Sequence, residues 1–206
     1  MGLDVTLAQY AAVESYVALL ARWGRTHNLT AIHQGPPVWT VHVLDCLAAL
    51  PSVKRYAQQQ GWDTPRVLDV GAGAGLPGAL WALLQPSWRI TCVDAVAKKI
   101  AFIQQAAAAM RRDEPKLQLV AHHGRAEHFT QANQQLVVAR AFASLADLVR
   151  LTRAALAPDG VWAALKGQEP HEEMAALPPD VHVFHVEPLP SPRWGASRCL
   201  VWMQPA

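Results

Sequence analysis

The apolar positions of the chain change period near residue 60. Before it, Leu7, Tyr10, Val13, Val17 and Leu20 recur at spacings of three and four, the signature of one helix face. Gly24 is the expected stop of this helix. A second helix is predicted from Val38 to Leu50, ended by Pro51, which lacks an N–H and crowds the preceding turn. The polar Gln58-Gln59-Gln60-Gly61 stretch then divides the chain into an N-terminal helical extension, residues 1–60, and a larger domain, residues 61–206.

Beyond Gly61 short apolar runs alternate with helical periods. Strands are predicted at Arg66–Val70, Arg89–Val93, Leu117–Ala121, Leu136–Ala139 and Val161–Leu165. Helices are predicted at Leu76–Leu84, which stops before Pro86, and at Ala97–Arg112, with Ile100, Ile103, Ala107 and Met110 on one face. Leu145, Leu148, Val149, Thr152 and Leu156 mark a further helix, followed by a Pro158-Asp159-Gly160 turn. Val181–Val186 and Cys199–Met203 read as two strands joined by a Pro-, Gly- and Ser-rich loop, an antiparallel edge pair. Strands alternating with helices imply an α/β fold: a mostly parallel, Rossmann-like sheet covered on both faces.

Composition narrows the class. The 206 residues are 51% hydrophobic, enough for a sizeable core, and 17% charged, too few for a disordered chain. The net charge is +2, split evenly between the first 60 residues and the remainder, so charge alone decides nothing about a nucleic-acid partner. Cys46, Cys92 and Cys199 are scattered and odd in number, which suits a reduced compartment without a disulfide framework. His122, His123 and His128 lack a carboxylate or cysteine at ligand spacing, so no metal is expected. No apolar run approaches the ~18 residues of a membrane span, and the N-terminus lacks a signal-peptide pattern. The expectation is a cytoplasmic protein without a membrane partner.

The chemistry centres on Val67-Leu68-Asp69-Val70-Gly71-Ala72-Gly73-Ala74-Gly75. Gly71, Gly73 and Gly75 follow a predicted strand and precede a helix, where bare backbone lets a ligand approach at the carboxyl end of the sheet. Asp94 ends the next strand, where a carboxylate can accept both hydroxyls of a ribose. The spacing describes a site for an adenosine-containing ligand. Gly73-Ala74-Gly75-Leu76-Pro77-Gly78 also fits the dinucleotide fingerprint, so a nicotinamide or flavin enzyme stays open. Asp69 at the strand end, and the extra Gly71-Ala72 step, favour S-adenosylmethionine: an acid there suits an ammonium and a sulfonium and would repel a pyrophosphate. Asp94 can equally cap the helix after it.

Five segments in order along the chain carry a wider resemblance: Asn28-Leu29-Thr30-Ala31-Ile32, His42-Val43-Leu44-Asp45, Asp69-Val70-Gly71 with Gly75-Leu76-Pro77-Gly78, Arg140-Ala141-Phe142-Ala143-Ser144, and Lys166-Gly167-Gln168. Together they resemble the RsmG (GidB) family of bacterial ribosomal RNA small-subunit methyltransferases. The resemblance implies transfer of a methyl group from S-adenosylmethionine to N7 of guanine 527 in 16S rRNA. It implies cofactor contacts at Gly71, Leu76, Ala126, Glu127 and Arg140, and matches Asp94 to the family's acid at the end of the second strand. The chain departs from the family at Val41, where an arginine is usual, at Cys46, where a serine is usual, and in a loop reading GAGAG rather than GTGPG.

Guanine N7 has a lone pair and carries no proton, so no acid–base dyad is expected, and Arg140 is assigned a positioning role. Arg125, Lys166, Arg193, Trp194 and Arg198 are the RNA-binding candidates, because cations with an aromatic suit an unpaired base and its backbone. Arg22, Arg25, His27 and Asn28 form a possible second contact. The expected partner is 16S rRNA or the 30S subunit, and the expected state a monomer. A small-molecule methyltransferase and a non-catalytic ribosome-assembly factor are the competing readings.

Overall fold

The computed structural model describes residues 3–27, 35–191 and 196–206. Helix α1 (Leu7–His27) opens the chain. Thr6 and Gln9 make reciprocal bonds at its start, Gln9 N to Thr6 Oγ1 and Thr6 N to Gln9 Oε1, both 3.1 Å, which is a capping box. Its buried side is Val13, Tyr16 and Leu20. Leu7 and Tyr10 do not belong to that side as predicted: Leu7 is 90% exposed and Tyr10 stacks on Trp39 at the rim of the next helical run. Gly24 does not stop the helix either. A lone glycine costs only about 1 kcal/mol in a helix interior, less than the packing around it supplies.

A second helical run follows: α2 (Pro36–Val38), a π-helical turn (Trp39–Val43), α3 (Leu44–Ala48) and α4 (Leu50–Gln59). Pro51 starts α4 rather than ending a helix, because its missing N–H is harmless in a first turn.

Seven strands form one sheet in the order β3-β2-β1-β4-β5-β7-β6. They are β1 (Arg66–Val70), β2 (Arg89–Asp94), β3 (Gln118–His123), β4 (Gln134–Arg140), β5 (Leu156–Lys166), β6 (Val181–Pro188) and β7 (Cys199–Pro205). The first five in spatial order are parallel, and β7 and β6 add the antiparallel edge that the sequence predicts. The helices between them are α5 (Gly78–Leu84), α6 (Ala97–Asp113), α7 (Leu145–Thr152) and α8 (His171–Ala175). Two strand details differ from expectation. Leu156 begins β5 instead of continuing α7, and Pro158-Asp159-Gly160 is an irregularity within β5, where the register against β4 shifts. The short α8 carries no apolar period and went unread.

The sheet's two faces define two cores. On one, Val67, Leu136, Val138 and Val161 pack with α1, α3, α4, α5 and α6. On the other, Leu68, Val70, Val137 and Ala139 pack with α7. Alternation along β4 therefore sends Arg140, in step with Leu136 and Val138, toward the N-terminal helices. Trp81 Nε1 donates to Cys46 O at 3.0 Å, tying α5 to α3. Among the described residues no helix is long and apolar enough to cross a membrane.

Candidate functional site

The β1–α5 loop is built by its glycines and by one buried acid. Gly71, Gly73 and Gly75 all take positive φ (64°, 61° and 81°), which β-carbon-bearing residues rarely adopt. A β-carbon at Gly71 would lie 2.5 Å from the ring of Phe142, whereas one at Gly73 would meet nothing closer than 4.0 Å. Gly73 is thus the open face of the loop. Beneath it, fully buried Asp69 accepts from Gly78 N (2.8 Å) through Oδ2. Gly78 sits so close to this acid that a β-carbon would come within 2.8 Å of Asp69 Oδ2 and 2.7 Å of Cys92 Sγ.

Asp94 holds the loop from the neighbouring strand. Its Oδ2 accepts from Gly73 N (2.9 Å) and lies 3.4 Å from Lys99 Nζ, and its Oδ1 accepts from Val96 N (2.9 Å). Asp94 is not the N-cap of α6, a place Val96 takes without a side-chain cap bond; its bond to Val96 N ties the strand end to the start of that helix, and an ionised carboxylate, with about four acceptor positions, keeps room for a ligand's hydroxyls. A crevice of about 630 Å³ opens beside it, lined by Gly71, Asp94 and Lys99 on one side and by Arg125, Ala126, Glu127 and Phe142 on the other. Its own backbone N–H, helped by Arg125 at 3.6 Å, holds the Glu127 carboxyl below the usual range. Two acids against several cations give the crevice mixed polarity, suited to a ligand with hydroxyl donors and both charges.

The RAFAS segment shapes the far wall. Ala141 has a positive φ of 53°, a costly conformation for alanine, and it turns the chain so that Phe142 covers Gly71. Ser144 Oγ accepts from Asp147 N (3.1 Å) and caps α7.

The predicted residues divide into groups. Gly71, Asp94, Arg125, Ala126 and Glu127 meet on the crevice, and Gly73, Gly75 and Leu76 continue its loop. Asp69 lies under the loop, away from the crevice surface. Arg140 faces the N-terminal helices, where its Nη1 is 3.7 Å from Asp45 Oδ2, and Arg198 Nε donates to Asp45 Oδ1. Lys166 is paired with Glu173, Nζ to Oε2 2.7 Å. Arg193, Trp194 and the NLTAI segment lie outside the described residues, as does the side chain of His27. Of the three histidines, His122 packs edge-on against Phe129 and His123 Nε2 lies 3.1 Å from Ala95 O.

Sequence reasoning missed Tyr16 and Lys99. Tyr16, buried on α1, donates its hydroxyl to Ala74 O at 2.6 Å, so the N-terminal helix grips the glycine loop directly. Its signal was present as a polar-tipped aromatic in step with Val13 and Leu20. Tyr16→Phe removes that bond alone. Loss of a buried bond that leaves an acceptor unsatisfied costs about 1–3 kcal/mol. The expected outcome is a several-fold weaker loop ligand and a lowered melting temperature, read by calorimetry and thermal unfolding; unchanged affinity would uncouple α1 from the loop.

Burial pushes the Asp69 carboxyl up to about 7, and its buried Oδ1 has no hydrogen-bond partner. The folded state therefore favours the protonated acid. That contribution is fully present below the unfolded value of ~3.9 and is lost as pH rises through about 7. Asp69→Asn should remove this loss, so its stability relative to wild type should climb between pH 4 and 7 and level off above. Denaturant titrations across that range would show a flat difference if Asp69 were ionised throughout.

Comparison with known proteins follows the same lines. The family model described as rRNA small subunit methyltransferase G matches residues 9–200. Ribosomal RNA small subunit methyltransferase G of Leptothrix cholodnii is 48% identical over 205 residues, covering 100% of this chain and 91% of the relative. The protein of the same name from Acidovorax sp. (strain JS42) is 46% identical over 211 residues, with the same coverage of 100% and 91%. Among solved structures, magnesium protoporphyrin IX methyltransferase (ChlM) from Synechocystis PCC 6803 with bound SAM superposes with a TM-score of 0.62 at 14% identity, covering 98% of this chain and 100% of that one. That likeness is one of fold.

Proposed function

Because the chain belongs to the rRNA small subunit methyltransferase G family, we propose that it transfers a methyl group from S-adenosylmethionine to N7 of one guanine in 16S rRNA. The observation that carries this reading is the meeting of Gly71, Asp94, Ala126 and Glu127 on one crevice, within a family match across residues 9–200. S-adenosylmethionine, when bound, supplies an electrophilic methyl group on a sulfonium sulfur. The chain's residues fit that group. Gly73 leaves its backbone open, Asp94 has acceptor capacity left for a ribose, and Glu127 brings negative charge.

The chemistry asks little beyond placement. Guanine N7 offers its lone pair without losing a proton, so the residues must bind, orient and exclude water; such placement is worth up to roughly 7–11 kcal/mol in ideal intramolecular cases. Gly71, Gly73, Gly75 and Leu76 form the cofactor loop, with Asp69 supporting it from below and Arg140 positioning at the end of β4. Phe142, packed over Gly71, keeps water from that side of the crevice. Residues 61–206 form the cofactor domain and residues 1–60 the helical extension that braces its loop through Tyr16. Arg125, Lys166 and the tail cations supply the RNA contacts. The protein acts as a cytoplasmic monomer.

Methyl transfer should be assayed side by side on stripped 16S rRNA, on 30S particles and on a metabolite panel. Label in rRNA is the expected result. Label confined to metabolites would replace RNA as the substrate, and tight binding to 30S precursors without transfer would make the protein a non-catalytic assembly factor.

A further inference from the structure

Two of the shared segments, through Asp45 and Arg140, meet the tail residue Arg198 at one buried carboxylate that does not line the cofactor crevice. Asp45, on α3, is nearly inaccessible, and each of its oxygens takes a different arginine. Oδ2 faces Arg140 Nη1 at 3.7 Å, and Oδ1 accepts from Arg198 Nε. Arg198 stands just before β7, and its Nη1 donates to Ser197 O at 2.8 Å. A β-carbon on Gly167, at the end of β5, would lie 3.9 Å from the same Nη1, so Arg198 rests over the Lys166-Gly167 corner. Lys166 is neutralised separately by Glu173.

Two guanidiniums share one acid, which leaves the trio with a net charge of +1. Arg198 is fixed by Asp45 and Ser197, and among the described residues its Nη2 meets no acceptor. A pre-ordered guanidinium with surplus charge suits a phosphate, which takes a planar fork of donors. Its place in the sheet sets it beside the glycine loop. The spatial order is β2-β1-β4-β5. Asp94, the ribose acid, ends β2, and the glycine loop lies over β1. Past the loop in that order come the ends of β4 and β5, marked by Arg140 and by the Lys166-Gly167 corner. The Asp45 trio stands at those ends.

We propose that Asp45 is the positioning residue of a phosphate clamp for the substrate RNA strand, with Arg198 the side chain that touches the phosphate. This rests on the reading of the chain as an rRNA methyltransferase. Asp45 thereby holds the arginine of the β4 end and the arginine of the RNA side on one carboxylate.

Filter binding of 16S rRNA across a series of salt concentrations tests it, with S-adenosylmethionine affinity followed in parallel by calorimetry and methyl transfer assayed on the wild type. Arg198→Ala should weaken RNA binding about tenfold and flatten the salt dependence by about 0.7 in log–log slope, one phosphate contact on a single strand. Cofactor affinity should stay within about twofold on the tenfold-per-1.4 kcal/mol scale. Arg198→Lys should restore the slope but only part of the affinity, because the charge returns without the fork. Asp45→Asn should lower RNA affinity like Arg198→Ala. It strips two partly buried guanidiniums of their counter-ion and can fail to fold, so Arg198→Ala, which keeps the Asp45–Arg140 pair, decides the matter. Wild-type RNA affinity and slope in Arg198→Ala would make the trio structural and overturn the clamp. A wild type that binds rRNA without methylating it would sink the methyltransferase reading alone, and one that binds no rRNA at any salt would sink both.

Discussion

Gly73→Asp should abolish cofactor binding while leaving a folded protein. The site is unusual among the loop glycines, because a β-carbon there meets no protein atom closer than 4.0 Å. A side chain therefore has room, and its direct structural penalty is the positive φ of 61°, roughly 1–2 kcal/mol for a residue with a β-carbon. The charge matters more. Gly73 N donates to Asp94 Oδ2 at 2.9 Å, so a new carboxylate would stand beside the acid assigned to the ribose and would occupy the open face of the loop. Repulsion and occlusion together should raise the dissociation constant for S-adenosylmethionine by at least about a hundredfold, or about 2.7 kcal/mol. Circular dichroism and thermal unfolding should report a native-like protein with a modestly lower melting temperature. Gly71→Ala and Gly78→Ala are poorer probes, since each drives a β-carbon into a neighbour, Phe142 in one case and Cys92 with Asp69 in the other. Calorimetry showing wild-type affinity in Gly73→Asp would remove the loop from the cofactor site.

The second large effect is expected at Asp94→Ala. The change strips Gly73 N and Val96 N of their acceptor and Lys99 of its partner. Hydrogen bonds to an ionised group contribute about 1.5–3 kcal/mol each, so loss of the loop bond and of the ribose contacts should again weaken the cofactor by about a hundredfold or more. It should also destabilise the fold, by about 1–3 kcal/mol, because the start of α6 and the loop lose the carboxylate that ties them together. Asp94→Asn keeps one acceptor oxygen and should fall between the two. If Asp94→Ala lowered the melting temperature but left the cofactor constant unchanged, the acid would be a structural tie between loop and helix and nothing more.

Much of this was legible in the sequence, for reasons that are local. Each parallel strand carries a short apolar run, β1 closing on the glycine loop and β2 on Asp94, and α6 carries a clean apolar period through Ile100, Ile103, Ala107 and Met110. The crevice followed from the glycine spacing and the acid that ends the next strand. What stayed hidden is long-range. Nothing near Tyr16 in sequence says that its hydroxyl reaches Ala74, 58 positions away. Nothing near Asp45 says that Arg198, 153 positions on, shares it with Arg140. The helical extension was misread at two starts: Leu7 of α1 follows the apolar spacing but overhangs the core, and Pro51 of α4 reads as a breaker although a first turn tolerates it. Arg140 ends β4 in step with Leu136 and Val138, so its contact with Asp45 on the N-terminal helices follows from strand alternation, which the residues near it do not announce.

The most direct measurement is transfer of a tritiated methyl group from S-adenosylmethionine to 16S rRNA and 30S particles, followed by digestion and separation of the labelled nucleosides. The predicted result is label in 7-methylguanosine, absent with Gly73→Asp. Label in any other nucleoside, or none in rRNA while the wild-type protein binds the cofactor, would contradict it.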